Sequence, residues 1–237
     1  MKNEVKFPSL NPDLAYLCGV LAGDGYIKIR HTKNEYHIFC AGNPQDEQEY
    51  YQSIIAPLFK KLFFVKVKPR LLSSNRLYGV SIYSKQLVEY LLSIGLQESP
   101  KIEIKVPLWI KNNVNYSSFY IRGIADTDFC YKFRNGKYPI ISGCSRSKNI
   151  IKEIDFFLRS KGFKPTICEY GVPDKRNEKG FTVINRIDLN GNNNFEQWMK
   201  LIGTSHPKNI TKIKQSIYFK EKLAGDGFEP PIFTLQS

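Results

Sequence analysis

Two carboxylates stand out by their context. Asp24 ends the run Leu17-Cys18-Gly19-Val20-Leu21-Ala22-Gly23-Asp24-Gly25, and Asp128 ends the run Ile121-Arg122-Gly123-Ile124-Ala125-Asp126-Thr127-Asp128-Phe129, 104 residues later. Each sits at the C-terminal end of an apolar helical run, where the macrodipole disfavours a carboxylate by a few tenths to about 1 kcal/mol. Two such ends packed together would crowd negative charge. That is poor for stability and good for holding a divalent cation. Hard oxygen ligands favour Mg²⁺, with Mn²⁺ or Ca²⁺ able to substitute in binding, and leave positions for water and phosphate. Such an ion can polarise a phosphoryl oxygen, activate water and stabilise a leaving oxygen. A single acid at a helix end is ordinarily a solvated terminus. The repeated context is what makes Asp24 and Asp128 candidates for one catalytic, metal-binding site.

The elements must bring these ends together. Gly19, Ala22 and Gly23 fall at i, i+3 and i+4 on one helix side, as Gly123 and Thr127 do in the second run. Small residues at this spacing let two backbones approach closely. Glycine costs about 1 kcal/mol against alanine inside a helix, so its repeated use argues for a packing need. Gly19, Gly23, Gly123 and Thr127 are therefore the expected helix-interface residues.

Around these helices the periodicities alternate. Asn11-Pro12 starts a helix over 13–24. Strands are expected over 26–30 and 36–41, a helix over 46–62, strands over 64–70 and 77–83, and a helix over 85–94 stopped by Gly95. After a proline-bearing connector the order returns: helix 117–128, strands 130–134 and 138–145, helix 147–160, strands 166–170 and 181–189, helix 195–202. A shift of 104 maps Lys28 onto Lys132, Arg30 onto Arg134 and Cys40 onto Cys144, and a shift of 100 maps Ile54 onto Ile154. The expected fold is α+β, with two pseudo-symmetric αββαββα halves packed through their first helices. The halves span 1–99 and 116–223, joined by a connector over 100–115, with a loose tail over 224–237. A last basic helix is expected over 210–223. This is a fused pseudo-dimer, expected to act as a monomer.

The formal net charge is +13 and 14% of residues are aromatic, a folded basic chain suited to a polyanion. Alternation gives each strand pair an apolar side for the helices and a basic side facing out. The candidate nucleic-acid contacts are Lys28, Arg30, Lys66, Lys68, Arg70, Arg76, Lys132, Arg134 and Arg186. An antiparallel ribbon fits a DNA major groove, where phosphate neutralisation and base readout combine. Five cysteines without close pairing give no disulfide framework and no zinc signature, and all are expected in the core of a reduced, intracellular protein. No targeting signal and no run of roughly 18 apolar residues is present, so a cytoplasmic or organellar protein with no membrane partner is expected.

The two runs resemble the paired motifs of LAGLIDADG homing endonucleases in their single-chain form. The resemblance covers 12–222, including Val106-Pro107-Leu108-Trp109-Ile110 before the second motif and Ile202-Gly203 with His206-Pro207-Lys208 near the end. It implies a double-strand DNA endonuclease with a long, asymmetric target, making a staggered break across the minor groove while saddle-shaped sheets read the major groove. It puts the family's acids on Asp24 and Asp128, with the carbonyls of Gly23 and Thr127 joining the metal shell. The sixth motif position is Ala22 in one copy and Asp126 in the other, which makes Asp126 an interface residue. The ninth, usually glycine, is Phe129. Supporting polar residues are sought near Asn43 and Lys85 in one half and Ser145, Arg146 and Asn193 in the other. Two alternatives share the fold: an intron RNA maturase, and a catalytically silent DNA-binding protein. Leu223-Ala224-Gly225-Asp226-Gly227 repeats Leu21 to Gly25, but Glu221 stands where Gly19 would be and Phe228-Glu229-Pro230-Pro231 cannot form the next strand, so no third site is expected there.

Overall fold

The computed structural model describes residues 5–226, with side chains to 221. Helix α1 (Pro12–Ala22) starts where the Asn11 side chain accepts from the Leu14 amide and Pro12 supplies a fixed φ. Strands β1 (Gly25–Arg30) and β2 (Glu35–Gly42) form a hairpin. The next helix is α2 (Gln48–Tyr50), a π-helical segment Tyr51–Ile55 and α3 (Ala56–Phe63). Pro57 accounts for the widened turn, because it offers no N–H to the carbonyl four residues back. Then come β3 (Arg70–Leu72), β4 (Leu77–Tyr83) and α4 (Lys85–Ser93).

The connector holds a short helix, α5 (Leu108–Lys111). The second half runs α6 (Val114–Asp128), β5 (Phe129–Arg134), β6 (Tyr138–Ser145), α7 (Lys148–Ser160), β7 (Thr166–Pro173), β8 (Phe181–Asn190) and α8 (Asn192–Leu201). Both sheets have four antiparallel strands with the same order, β1-β2-β4-β3 and β5-β6-β8-β7. The α+β architecture of two like halves holds. Helices α1 and α6 pack against each other at the centre, and residues 14–22 of α1 are buried on every side. No helix among the described residues is long and apolar enough to cross a membrane.

Several expectations need correction. The strand expected over 64–70 forms instead as β3, which shares only Arg70 with it and leaves Lys66 and Lys68 outside any strand. Pro69, just before β3, cannot donate to the ladder. Only Cys18 and Cys40 are buried; Cys130, Cys144 and Cys168 are exposed. The β5–β6 hairpin connection is one residue shorter than its counterpart, so Gly25 pairs with Cys40 but Phe129 pairs with Gly143. Cys144 thus turns to the opposite face from Cys40, as a one-residue slip requires. The final helix is two, α9 (Pro207–Gln215) and α10 (Ile217–Asp226), broken at Ser216, whose hydroxyl caps α10 by accepting from the Phe219 amide at 3.2 Å. The helix continues to Asp226, into what was expected to be a loose tail, and 227–237 lie outside the described residues.

Candidate active site and nucleic-acid face

The small residues let α1 and α6 touch backbone to backbone. A Cβ on Gly19 would lie 2.0 Å from the Tyr120 carbonyl oxygen, and one on Gly123 would lie 2.2 Å from that of Tyr16. A Cβ on Gly23 would meet Thr127 Oγ1 at 2.1 Å and the Asp128 carboxylate at 2.9 Å. The end of α1 therefore lies directly against the end of α6, and the two motif acids share one small region. Thr127 directs its hydroxyl to the Ile124 carbonyl at 2.9 Å.

The charges feel that crowding. The Asp24 carboxyl is pushed up to about 8, first by burial, then by the charges of Asp128 and Glu47, with Lys101 opposing. Burial pushes Asp128 up to about 6, again against Lys101. The charge of Lys101 acts on both. Its ammonium donates to the carbonyls of Leu21, Ala22 and Gly23 at 2.7, 2.7 and 3.0 Å, capping the carbonyls that a helix end leaves open. Burial lowers the Lys101 pKa and the charge of Asp128 is the largest opposing influence. The Gly23 carbonyl, expected in a metal shell, is thus held by an ammonium here.

Two groups at this site were missed in the sequence. Lys101 had a signal: Ile94-Gly95 followed by Pro100-Lys101 returns as Ile202-Gly203 followed by Pro207-Lys208. The copies then diverge, because Lys208 pairs with Asp46 at 2.7 Å. Glu47 had none, being one acid of a polar helix start; its carboxylate folds over Gly42 and accepts the Asn43 amide at 3.0 Å. Of the supporting residues sought, Asn43 is here through its backbone, and Ser145 lines a small cavity with Asp128. Arg146 and Ser145 offer their carbonyls to Asn185. Lys85 pairs with Glu89 beyond the far end of β4, and Asn193 belongs to the first turn of α8.

Asp126 points away from this cluster into the helix interface. It accepts from the Tyr16 hydroxyl at 2.8 Å and the Ser205 amide at 2.9 Å, and from the Thr204 hydroxyl. Tyr16 also bonds Tyr50, which stacks on His206. Phe129 begins β5 and stacks on Trp198 at 5.9 Å; a Cβ on Gly143 would lie 2.1 Å from its ring, so the glycine displaced from the motif's end reappears as its partner.

Of the basic residues, Lys66, Lys68, Arg70, Arg76, Lys132 and Arg134 are exposed, and Lys28 is half-buried beside Tyr26. Arg30 is engaged by Glu35 at 3.0 Å and Arg186 by Asp188 at 2.9 Å. The outer face of the first sheet is not uniformly basic: Tyr26, His37, Phe39 and Tyr83 stand among its charges.

Among the described residues no three His, Cys, Asp or Glu side chains converge on one point. Asp24 and Asp128 nonetheless offer hard oxygens whose charge is poorly compensated, a donor set that fits a divalent cation completed by phosphate and water.

No protein-family model matches the sequence, and no curated protein matches it. Solved structures do resemble it. Mesophilic variants of the homing endonuclease I-DmoI superpose with a TM-score of 0.59 at 17% identity, covering 86% of this chain and 97% of that one. I-DmoI in complex with DNA and Ca gives 0.58 at 17% identity over the same shares. The N-terminal LAGLIDADG domain of DUF199/WhiA gives 0.54 at 11% identity, covering 87% and 89%. The likeness carries the fold: this chain is built on the LAGLIDADG architecture in its single-chain, two-half form.

Proposed function

We propose that this chain is a site-specific double-strand DNA endonuclease of the LAGLIDADG type, acting as a monomeric pseudo-dimer. The observation that carries the reading is the pair Asp24 and Asp128, delivered to one place by helices whose close contact depends on Gly19 and Gly123. Asp24 and Asp128 would hold a divalent ion, Mg²⁺ by preference, and when bound it supplies Lewis-acid activation of water and of the phosphoryl oxygen. The chain itself contributes the rest. Its two sheets present Lys28, Arg70, Lys132 and Arg134 to the phosphates and base edges of a long target. Lys101 sets a fixed positive charge beside the scissile phosphate, where negative charge grows in the transition state. Because the halves differ in sequence, the target is asymmetric. The staggered break follows from placing one acid over each strand across the minor groove.

Asp24→Asn and Asp128→Asn each abolish cutting while target binding stays within a few-fold of wild type. The measurement is cleavage of a plasmid library carrying candidate intron-insertion sites, paired with gel-shift affinity. Full cleavage by both variants would sink the mechanism. Tight binding of intron RNA with promoted splicing, and no DNA cutting by the wild-type chain, would favour a maturase instead.

A further inference from the structure

The outer face of the first sheet, beside the Lys28 assigned above to the duplex, carries an aromatic row that phosphate contact and edge readout do not account for. The register aligns Lys28, His37 and Tyr83 across β1, β2 and β4. The rings of His37 and Tyr83 are stacked, with centroids 4.3 Å apart and planes 4° from parallel. Tyr26 and Phe39 approach His37 edge-on at 6.2 and 6.1 Å, and the His37 Nε2 is 2.9 Å from Ser81 Oγ. Burial lowers the imidazole's pKa from its ordinary value, against the charge of Glu35.

The stack has one open end. Strand β3 pairs only with Leu77 to Gly79, so among the described residues no strand flanks Tyr83 on its outer side, and the residue is 64% exposed. Beside it lies an open depression of about 340 Å³ lined by Tyr83, Lys33, Asn34, Glu35, Tyr36, Ser84 and Lys85, with the Glu35 carboxylate paired to Arg30 at 3.0 Å. The Lys85 ammonium sits 5.5 Å above the Tyr36 ring and 3.8 Å from the exposed Glu89 carboxylate, a solvent-screened pair that a phosphate can replace.

Geometry selects the occupant. Inside a duplex a base shows a sheet its edge, while its face is covered by its neighbours. An aromatic stack with a free terminal face suits a base that has left the duplex, and lysines at its rim suit the adjoining phosphates. We propose that Tyr83 is a stacking platform for an unpaired nucleobase of a single-stranded nucleic acid, with Lys33 and Lys85 holding the flanking phosphates. The site is separate from Asp24 and Asp128 and does not require them to cut.

The test uses the full chain with EDTA present and oligonucleotides carrying one 2-aminopurine, as single-stranded RNA, single-stranded DNA and DNA duplex. Wild type binds the single strands and quenches the probe. Tyr83→Phe keeps this behaviour, whereas Tyr83→Leu weakens single-strand binding roughly tenfold and changes duplex binding by less than about twofold. A larger loss on RNA identifies the source as a structured transcript, and a larger loss on DNA identifies a displaced strand; equal losses leave both as ligands. Wild type that fails to bind single strands overturns the proposal. So does a Tyr83→Leu chain, folded by circular dichroism, that binds them unchanged or loses duplex affinity by the same factor.

Discussion

The Lys101 ammonium and the Gly23 carbonyl oxygen lie 3.0 Å apart, the last of three bonds by which one side chain closes the end of α1. That position answers the helix dipole and also faces both motif acids. One cation therefore serves the helix end and the crowded carboxylates together.

Lys101→Met removes both services. The cleavage rate should fall at least roughly tenfold, with duplex affinity nearly unchanged, because the lost charge acts where negative charge develops. Single-turnover rates with a gel-shift Kd check this. Loss of affinity in place of rate would make Lys101 a simple phosphate anchor.

Gly19→Ala should destabilise the chain by about 2–4 kcal/mol, since the new methyl meets backbone that cannot rotate away. Its position 2.0 Å from the Tyr120 carbonyl oxygen forces the helices apart. Helix propensity alone would favour alanine by about 1 kcal/mol, so the sign of the change decides between the two effects. Urea unfolding reads it.

Stability of the metal-free chain should depend on pH in a defined window. Asp24 has a folded value of about 8 against an ordinary 3.8. The folded state then binds the proton more tightly, so the contribution of Asp24 is fully present below its ordinary value and is lost as pH rises through about 8. His206, held by burial at about 4, works oppositely below 6.5, which leaves 6.5 to 8 as the clean range. With EDTA the Tm should drop across that range in wild type and flatten in Asp24→Asn, and Mg²⁺ should raise the Tm more at pH 8 than at pH 6.5. A wild-type Tm that climbs from pH 6.5 to 8 would contradict this.

Asp126→Ala should cost roughly 2–4 kcal/mol by orphaning the Tyr16 hydroxyl, the Ser205 amide and Thr204. Asp126→Asn should cost clearly less, because the amide oxygen can keep accepting. Differential scanning calorimetry of the two variants distinguishes a tie from a mere space-filler.

The repeat, the element order and the placement of Asp24 beside Asp128 were legible because a carboxylate ending a glycine-bearing apolar helix occurs twice. Strand faces were legible wherever alternation was regular. What was lost depended on single residues acting through tertiary context. Past Pro69 the strand begins at Arg70, beyond the alternating stretch 64–68. One residue fewer in the second hairpin moved Cys144 to the outer face, although its letter matched Cys40. Lys101 lies in a stretch without period, and only the fold shows that its side chain turns back to α1. Glu47 looked like any acid near a helix start until Gly42 gave it room.

The Asp126 tie bears on the order of events during synthesis. Tyr16 leaves the ribosome early, its partner Asp126 comes 110 residues later, and Thr204 and Ser205 follow 78 and 79 residues after that. Contacts so distant in sequence close slowly. A nascent chain that has completed both motif helices still lacks the loop that saturates their buried carboxylate. The polar tie at the centre of the interface is therefore completed only after Ser205 has emerged, well behind both motif helices.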